Sequence, residues 1–222
     1  MTEHRVISLV EDQVAVVRRR EQIVRAAAEL FSTQGFYRTT MKEVAKAAGM
    51  SAGLVYQYVR EKDDVLLLVL LEVLGAYARE IPLALQDVSD PLQRLRTSIS
   101  AYCRVVDRHR LGTVLAYRST KSLAPAKRRI VQAREVETND IIATEVRNCM
   151  RLGLIRETHA ELLTYQMVMI AHAWALKSWY LQPLIDLEGY IEQTIRTVLV
   201  GELTPAGRKR FDKSSKPAAA PA

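Results

Sequence analysis

The sequence has few residues that interrupt helices and few that support metal or redox chemistry. Its 222 residues include 9 Gly, 7 Pro and only 6% aromatic residues. Because turn-forming residues and β-branched runs are sparse, an all-α fold is predicted rather than a sheet protein. Cys103 and Cys149 have neither CxxC spacing nor histidine-rich neighbours, so we expect free buried thiols and no metal site.

Motifs for catalysis are also missing. None of the four histidines lies at a zinc-protease spacing, and the chain has no GxSxG, P-loop or GxGxxG sequence. Glu135 and Glu137 are two residues apart, so on a helix they point to different faces. The chain is therefore predicted not to be an enzyme and to need no cofactor.

Long apolar segments are absent. The longest apolar run, residues 65–71, is far too short to span a bilayer. Glu11 and Asp12 interrupt the N-terminal segment, so the apolar core of a signal peptide is missing there. We expect a cytoplasmic protein without a membrane partner.

The net charge of +7 is concentrated at the two ends of the sequence. Residues 1–62 contain ten Lys and Arg against seven Asp and Glu, and residues 202–222 contain five against two. A basic N-terminal unit fits phosphate binding, although solvated surface charge would give the same balance. The segment from Gly207 is rich in Lys, Ser, Ala and Pro, so residues 202–222 are predicted to be a disordered basic tail.

Apolar periodicity and capping signals predict about nine helices. Gly35 ends the first helix, Thr40 and Glu43 have capping-box spacing, and Ser51 is placed to cap a third helix. The predicted helices cover residues 17–34, 41–48, 52–59, 64–80, 90–108, 111–120, 125–152, 157–180 and 187–200.

The second and third of these helices have the spacing of a helix-turn-helix. Gly49 permits the tight turn between them, and apolar residues hold the two helices at a fixed angle. The second helix must then leave one face free for the edges of DNA bases. The periodicity places Ala52, Leu54, Gln57 and Tyr58 on that face, with Tyr56 at its flank.

The stretch IVRAAAELFSTQGFYRTTMKEVAKAAGMSAGLVYQYVREKDDVLLLVL, residues 23–70, resembles the TetR/AcrR family of bacterial repressors. The resemblance implies an N-terminal three-helix DNA-binding domain followed by a larger helical domain for ligand binding and dimerisation. It divides the chain into an N-terminal arm at 1–16, a helix-turn-helix domain at 17–63, a sensor domain at 64–201 and the tail at 202–222. It also implies a homodimer that binds a palindromic DNA operator and is released by a small-molecule effector. A DNA-binding activator and a non-sensing helical scaffold are the alternatives.

The resemblance also implies roles for single residues in the DNA-binding domain. Ala52 lies where the family commonly has Lys, and Val59 where it has Phe, so fewer charged contacts are expected. We predict that Leu54 contacts a thymine methyl group and that Gln57 reads adenine. The positions that match phosphate-binding residues of the family are Thr40, Ser51, Tyr56, Tyr58 and Lys62, and those that match base-facing residues are Ala52, Leu54 and Gln57.

The second half of the chain is predicted to hold an apolar ligand pocket. Arg118 is consistent with an anionic ligand, and equally with a salt bridge to Glu145. The resemblance implies that the last two long helices form a four-helix dimer bundle, to which we assign the small residues Ala171, Ala175 and Ser178. Plain core packing is an alternative for each of these residues. The predicted pocket residues are Tyr102, Tyr117, Arg118, Met167, Ile170, His172 and Trp174.

A basic cluster surrounds the start of the helix at residue 125. Some family members with a similar pattern of Trp174 followed by Trp179 and Tyr180 respond to acyl-coenzyme A esters. A basic rim would hold the phosphates of the coenzyme, although a solvated helix face is the alternative. The cluster consists of Lys121, Lys127, Arg128, Arg129 and Arg134.

Overall fold

A computed structural model describes residues 6–214, and within that range the fold is all-α, as predicted. The described residues form no strand, and Ile155 and Leu203 make an isolated antiparallel bridge. No helix within residues 6–214 has the length and apolar character needed to cross a membrane. The helices are α1 Gln13–Thr33, α2 Met41–Ala47, α3 Ala52–Tyr58, α4 Lys62–Ala84, α5 Pro91–Arg108, α6 Arg110–Ser119, a 3-10 turn Thr120–Ser122, α7 Pro125–Arg151, α8 Ala160–Leu176, α9 Ser178–Leu181, α10 Leu187–Leu199 and α11 Pro205–Ser214.

The chain forms two compact units whose boundaries differ from the predicted domains. The first unit contains residues 6–75 together with His109–Glu135, and the second contains Ala76–Arg108 with residues 136–214. Residues 109–135 join the first unit because their apolar side chains complete its core. Leu115, Leu123 and Val131 belong to the same buried cluster as the side chains of α1 to α3. The first unit therefore includes a segment that sequence alone assigned to the sensor domain.

Local signals in the first unit form as predicted. Thr40 and Glu43 make the capping box of α2, with the Glu43 Oε2 accepting from the Thr40 backbone N–H at 2.7 Å. The Ser51 hydroxyl accepts from the Leu54 N–H at 3.1 Å and caps α3. The α1 helix begins four residues before its predicted start, because Asp12 caps it by accepting from the backbone of Val14 and Ala15.

The second unit is built around the packing of α5 against α8, with α10 packed on both. The buried side chains of α5 form an apolar face that includes Leu92, Leu95 and Ile99. The long helix predicted at residues 157–180 divides into α8 and α9, because the backbone leaves the helical region at Lys177. The guanidinium of Arg94 in α5 makes a two-point salt bridge to Glu145 in α7, whose side chain is 6% exposed.

The prediction of a disordered segment from residue 202 is wrong for the part of it that the structure describes. Residues 205–214 form α11, and Phe211 in that helix is 3% exposed. The Arg96 guanidinium lies 4.7 Å from the centre of the Phe211 ring, and Arg210 pairs with Asp90 at 2.7 Å. The segment is polar in composition, but it contains one buried aromatic side chain, Phe211, and the helix packs against α5. Residues 215–222 of the predicted tail lie outside the described residues.

Docking of α11 requires glycine at position 207. A Cβ built on Gly207 would lie 2.0 Å from the Leu154 carbonyl oxygen, which also accepts from the Thr204 N–H at 3.1 Å. We expect Gly207→Ala to lower the free energy of unfolding by roughly 1–3 kcal/mol, since overpacking outweighs the gain in helix propensity. Urea denaturation of the purified protein measures this change.

Gly201→Ala is the matched control for this prediction. A Cβ at Gly201 meets no atom within 4 Å, and that glycine does not have a positive φ. Its unfolding midpoint should match that of the unaltered chain. Equal stability of the two variants would contradict the close approach of α11 to Leu154.

Candidate nucleic-acid interface and sensor core

The turn between α2 and α3 has the geometry that a helix-turn-helix requires. Gly49 adopts φ +68°, in the left-handed region that side chains disfavour, and it reverses the chain after α2. The Met50 N–H donates to the Ala45 carbonyl at 2.9 Å across the turn. Val44 and Val55 are both fully buried and pack into the core that α2 and α3 share. The angle between α2 and α3 is therefore fixed by the core rather than by the loop.

The exposed face of α3 differs in part from the predicted face. Tyr56 is 46% exposed, and Gln57 is also exposed, as expected for residues that reach DNA. Ala52 and Leu54 are half-buried at the edges of this face and pack against the core. The prediction that Tyr58 lies on the free face is wrong, because Tyr58 is 6% exposed.

The burial of Tyr58 follows from helical spacing. Val55 and Tyr58 are three residues apart, so they share one side of α3 and face the core together, and Val59, the extended residue that follows the helix, is also buried. This spacing is visible in the sequence, but it does not predict burial, because a tyrosine side chain fits a surface as well as a core. The aromatic ring therefore supports the position of α3, and the phosphate contact of Tyr58 stays a prediction.

Lys62, the predicted phosphate clamp, makes its hydrogen bonds within the chain, and its phosphate contact stays a prediction. Its Nζ donates to the carbonyl oxygens of Phe36, Tyr37 and Thr39 at 2.9, 3.3 and 3.0 Å. An ammonium group has three donors, so these three bonds use all of them. Lys62 thus holds the loop between α1 and α2 and places α2 relative to α4.

The two hydroxyl residues that were predicted to bind phosphates occupy helix N-termini. Thr40 and Ser51 are the N-caps of α2 and α3, and both are exposed. Hydrogen bonds from the Thr40 backbone and hydroxyl lower the pKa of the Glu43 carboxyl, so Glu43 stays ionised in the capping box. Helix N-termini present backbone N–H groups that suit phosphate oxygens. The placement of Thr40 and Ser51 is compatible with phosphate contact, which stays a prediction.

Two features of this surface were missed by the sequence analysis. Gly53, the second residue of α3, is exposed on the same side as Tyr56 and Gln57, and a Cβ there would meet no atom within 4 Å. Its lack of a side chain leaves the helix backbone open to close approach. Exposed cations also surround the helix-turn-helix. Two of them are lysines four residues apart on α2, a spacing that the sequence already shows. These cations are Arg38, Lys42, Lys46 and Arg60.

In the second unit, two predicted pocket residues meet in a buried aromatic cluster. The Tyr102 hydroxyl and His172 Nε2 share a hydrogen bond of 2.9 Å, and the Tyr77 ring stacks on Tyr102 at 4.2 Å. Burial lowers the pKa of His172 to about 4, so its imidazole is neutral at pH 7. This cluster is a polar centre within an apolar core.

The other predicted pocket residues are divided between core and surface. Trp174 donates its indole N–H to Asp107 at 2.7 Å, and Met167 is 1% exposed among the core side chains. The Ile170 carbonyl accepts from Tyr190 at 2.6 Å, and the Ile170 side chain is half-buried. Tyr117 and Arg118 belong to the first unit, where both are exposed.

The assignment of small residues to the dimer surface is wrong for two of the three. Ala171 and Ala175 are 1% and 3% exposed within a single chain, so they pack inside the second unit. Ser178 begins α9 and is half-buried. Small residues permit close packing of helices, and here they do so within one chain.

Buried polar groups without partners mark the core of the second unit. Asn139 is 3% exposed, and neither its amide nitrogen nor its amide oxygen has a hydrogen-bond partner within the described residues. The same holds for the hydroxyl of Thr164, which is 1% exposed. Such groups are costly unless a ligand or water satisfies them. The sequence analysis did not identify either residue.

One member of the basic cluster near residue 125, Lys127, forms salt bridges within the first unit. The Lys127 Nζ lies 2.7 Å from Asp64 and 2.5 Å from Glu61 at the start of α4. Burial opposes its charge, but the hydrogen bonds that it donates to both carboxylates raise its pKa overall. Lys127 thus joins α7 to α4, whereas Lys121, Arg129 and Arg134 are exposed and Arg128 is half-buried.

Comparison with known proteins agrees with this arrangement. The model for bacterial regulatory proteins of the TetR family matches residues 23–69, and that for the tetracyclin repressor-like C-terminal domain matches residues 88–182. Over 213 residues, 96% of this chain and 93% of its relative, the chain is 42% identical to the HTH-type transcriptional regulator HbdR of Aromatoleum sp. (strain CIB).

Solved structures share the fold at low sequence identity. AibR, solved in complex with isovaleryl coenzyme A and operator DNA, gives a TM-score of 0.71 at 19% identity, covering 82% of this chain and 98% of AibR. KstR2 of Mycobacterium tuberculosis, a ketosteroid transcriptional regulator, gives 0.67 at 20% identity, covering 90% of this chain and 100% of KstR2.

A helix-turn-helix in one unit and a helical core in the other define a DNA-binding transcriptional regulator. The identity to HbdR over almost the whole of both chains shows the family. The chain belongs to the TetR family of bacterial regulatory proteins, which confirms the family predicted from residues 23–70.

The missing side chain at Gly53 gives a prediction that separates DNA binding from stability. Gly53→Ala should raise the free energy of unfolding by roughly 0.5–1 kcal/mol, because alanine favours helix and its Cβ meets open space. The same methyl group would lie between the α3 backbone and DNA, so affinity for a selected operator should fall roughly tenfold. Thermal unfolding and fluorescence anisotropy measure the two effects, and unchanged operator affinity would contradict a close approach at Gly53.

Proposed function

We propose that the protein is a dimeric repressor that binds a palindromic operator through α3 and is released by a small-molecule effector. The observation that carries this proposal is the exposed face of α3, with Gln57 and Tyr56 beside Gly53. Exposed cations around this face supply the attraction for phosphates that makes such binding salt-dependent. Gln57 is the residue on the face with the donor and acceptor pair that matches adenine.

An exposed apolar stripe on α8 supports the dimer. Leu162, Tyr165 and Met169 are 58%, 38% and 44% exposed, and their spacing of three and four residues puts them on one side of the helix. Trp179 and Leu184 extend the apolar surface at 75% and 65% exposed. Large exposed apolar patches are typical of protein interfaces. These residues replace Ala171 and Ala175 as the proposed contacts with a second copy of the chain.

The proposed effector is an acyl-coenzyme A thioester. AibR binds a compound of this class together with operator DNA, and this chain shares the AibR fold. The pantetheine arm of such a ligand carries amide groups, which suit the partnerless amide of Asn139.

Two continuous helices connect effector binding to DNA binding. Three residues separate α3 from α4, which extends into the second unit, and α7 also has residues in both units. Within the first unit, Lys127 fixes the start of α7 to Asp64 and Glu61. An effector that binds better to a conformation unable to fit DNA shifts the population toward it, and operator affinity falls.

Selection from a random DNA pool by the purified protein tests the DNA-binding proposal. We expect a palindrome whose half-sites are about one helical turn apart, since a twofold dimer presents α3 to successive major grooves. Gln57→Ala should relax the preference at one base pair in each half-site, with a loss of about 1–3 kcal/mol for the preferred base. Enrichment without any palindrome would contradict a dimeric regulator, and an unchanged preference would remove Gln57 as a base reader.

Asn139 provides the test of the sensor. Asn139→Leu should stabilise the ligand-free protein by about 1–3 kcal/mol, because it removes a buried amide without partners. The variant should bind the selected operator normally and respond less to isovaleryl-CoA and longer acyl-CoA thioesters in an operator-release assay. Asn148→Leu, on the less buried part of the same helix, is the matched control. A full response by Asn139→Leu, at wild-type thioester concentrations, would exclude Asn139 from the effector site.

A further inference from the structure

The recognition helix α3 ends without internal support for its last carbonyl groups. An α-helix leaves its four C-terminal carbonyls without intrahelical partners, and α3 has only seven residues. Val59 N–H donates to the Val55 carbonyl at 3.2 Å, which leaves the groups that follow Val55 to outside donors. A helix of this length is not stable by itself in water. The position of its C-terminal end therefore depends on other parts of the chain.

Residues 6–12, the described part of the predicted N-terminal arm that precedes α1, provide donors to that end. They are called the arm below. Leu9 N–H donates to the Gln57 carbonyl at 2.8 Å, and the Ser8 hydroxyl donates to the same oxygen at 3.1 Å. The Val10 N–H holds the Ser8 hydroxyl in place at 3.1 Å. The side chains of Val6 and Val10 pack against the core of the helix-turn-helix, which fixes the arm along α3.

Arg20 of α1 joins the same end of α3 to the arm. Its Nε and Nη2 donate to the Tyr58 carbonyl at 3.1 and 3.0 Å, and Nη2 also donates to the Val6 carbonyl. A cation at the C-terminus of a helix is favoured by the helix dipole. Burial lowers the pKa of the half-buried Arg20 guanidinium, and Asp64 opposes this effect.

We propose that the N-terminal arm and Arg20 position the recognition helix for sequence-specific DNA binding. Both act on the backbone of Gln57 and Tyr58, so they set where the Gln57 side chain meets a base without touching DNA themselves. Arg20 is a positioning residue, and the arm is the C-terminal cap of α3. The inference rests on the proposed DNA-binding function, because its consequence is a change in operator recognition.

Two substitutions in the full-length chain each remove one of the two sets of hydrogen bonds at the end of α3, those from Arg20 and those from the arm. Arg20→Gln removes the charged donors to Tyr58 and Val6, and Leu9→Pro removes the N–H that bonds Gln57. Arg18→Gln, at an exposed site on the same helix, is matched for the loss of one positive charge. Ile7→Pro is the matched control for proline in the arm, since Ile7 is 50% exposed.

The readout is the ratio of affinities for the DNA enriched by the unaltered protein and for a scrambled duplex of equal composition. We expect Arg20→Gln to lower specific affinity by about tenfold or more, the effect of losing hydrogen bonds to a charged group, while affinity for scrambled DNA changes as little as in Arg18→Gln. Leu9→Pro should lower the same ratio by a smaller factor, and Arg20→Lys should recover part of it.

Circular dichroism melting separates positioning from loss of folding. If Arg20→Gln does not fold, Leu9→Pro and Arg20→Lys carry the test by themselves. Equal losses on both DNAs, or equal losses in Arg20→Gln and Arg18→Gln, would mean that only charge matters and would overturn the proposal. An unaltered protein that enriches no sequence would instead overturn the DNA-binding function, and the inference with it.

Discussion

The structure of the DNA-binding unit depends on holding a short helix in one place. Because α3 has seven residues, it gains little from its own hydrogen bonds and is kept in position by packing and by caps. Val55 and Tyr58 bury one side of it, and Ser51 caps its first turn. Its last carbonyls are bonded by the arm and by Arg20. What is left for DNA is the narrow face that these contacts do not use.

The same requirement explains why residues far along the chain belong to this unit. α6 and the start of α7 bury Leu115 and Val131 in the core that supports α3. Gly112 lets α6 approach α4 closely, since a Cβ there would lie 2.5 Å from a methyl group of Val73. A domain defined by the helix-turn-helix motif alone lacks these supports.

The second unit combines an apolar core with polar groups that its own residues do not satisfy. Tyr102 and His172 satisfy each other, and Trp174 is paired with Asp107. Asn139 and Thr164 find no partner among the described residues, although a buried amide without partners is destabilising. A core optimised for stability alone would hold apolar side chains at these positions. The cost is consistent with a site that exchanges stability for recognition of a ligand.

The sequence by itself determined the features that are encoded locally. The capping box of Thr40 and Glu43 and the turn at Gly49 follow from spacing and residue type, and they formed as predicted. The motif in residues 23–70 also determined the family, because its order of residues is specific. These signals act over a few residues, so no knowledge of distant contacts was needed.

Tertiary structure decided which chemically ambiguous side chains face inward. A tyrosine or a lysine fits either surface or interior, and Tyr58 became core while the donors of Lys62 were used by three distant carbonyls. Phe211 turned a polar segment into a docked helix, and the arm became the cap of α3. Each outcome depends on a partner more than 20 residues away, which a local pattern does not contain. The sequence thus specified a recognition helix, and the packing around it decided which of its residues are free to meet DNA.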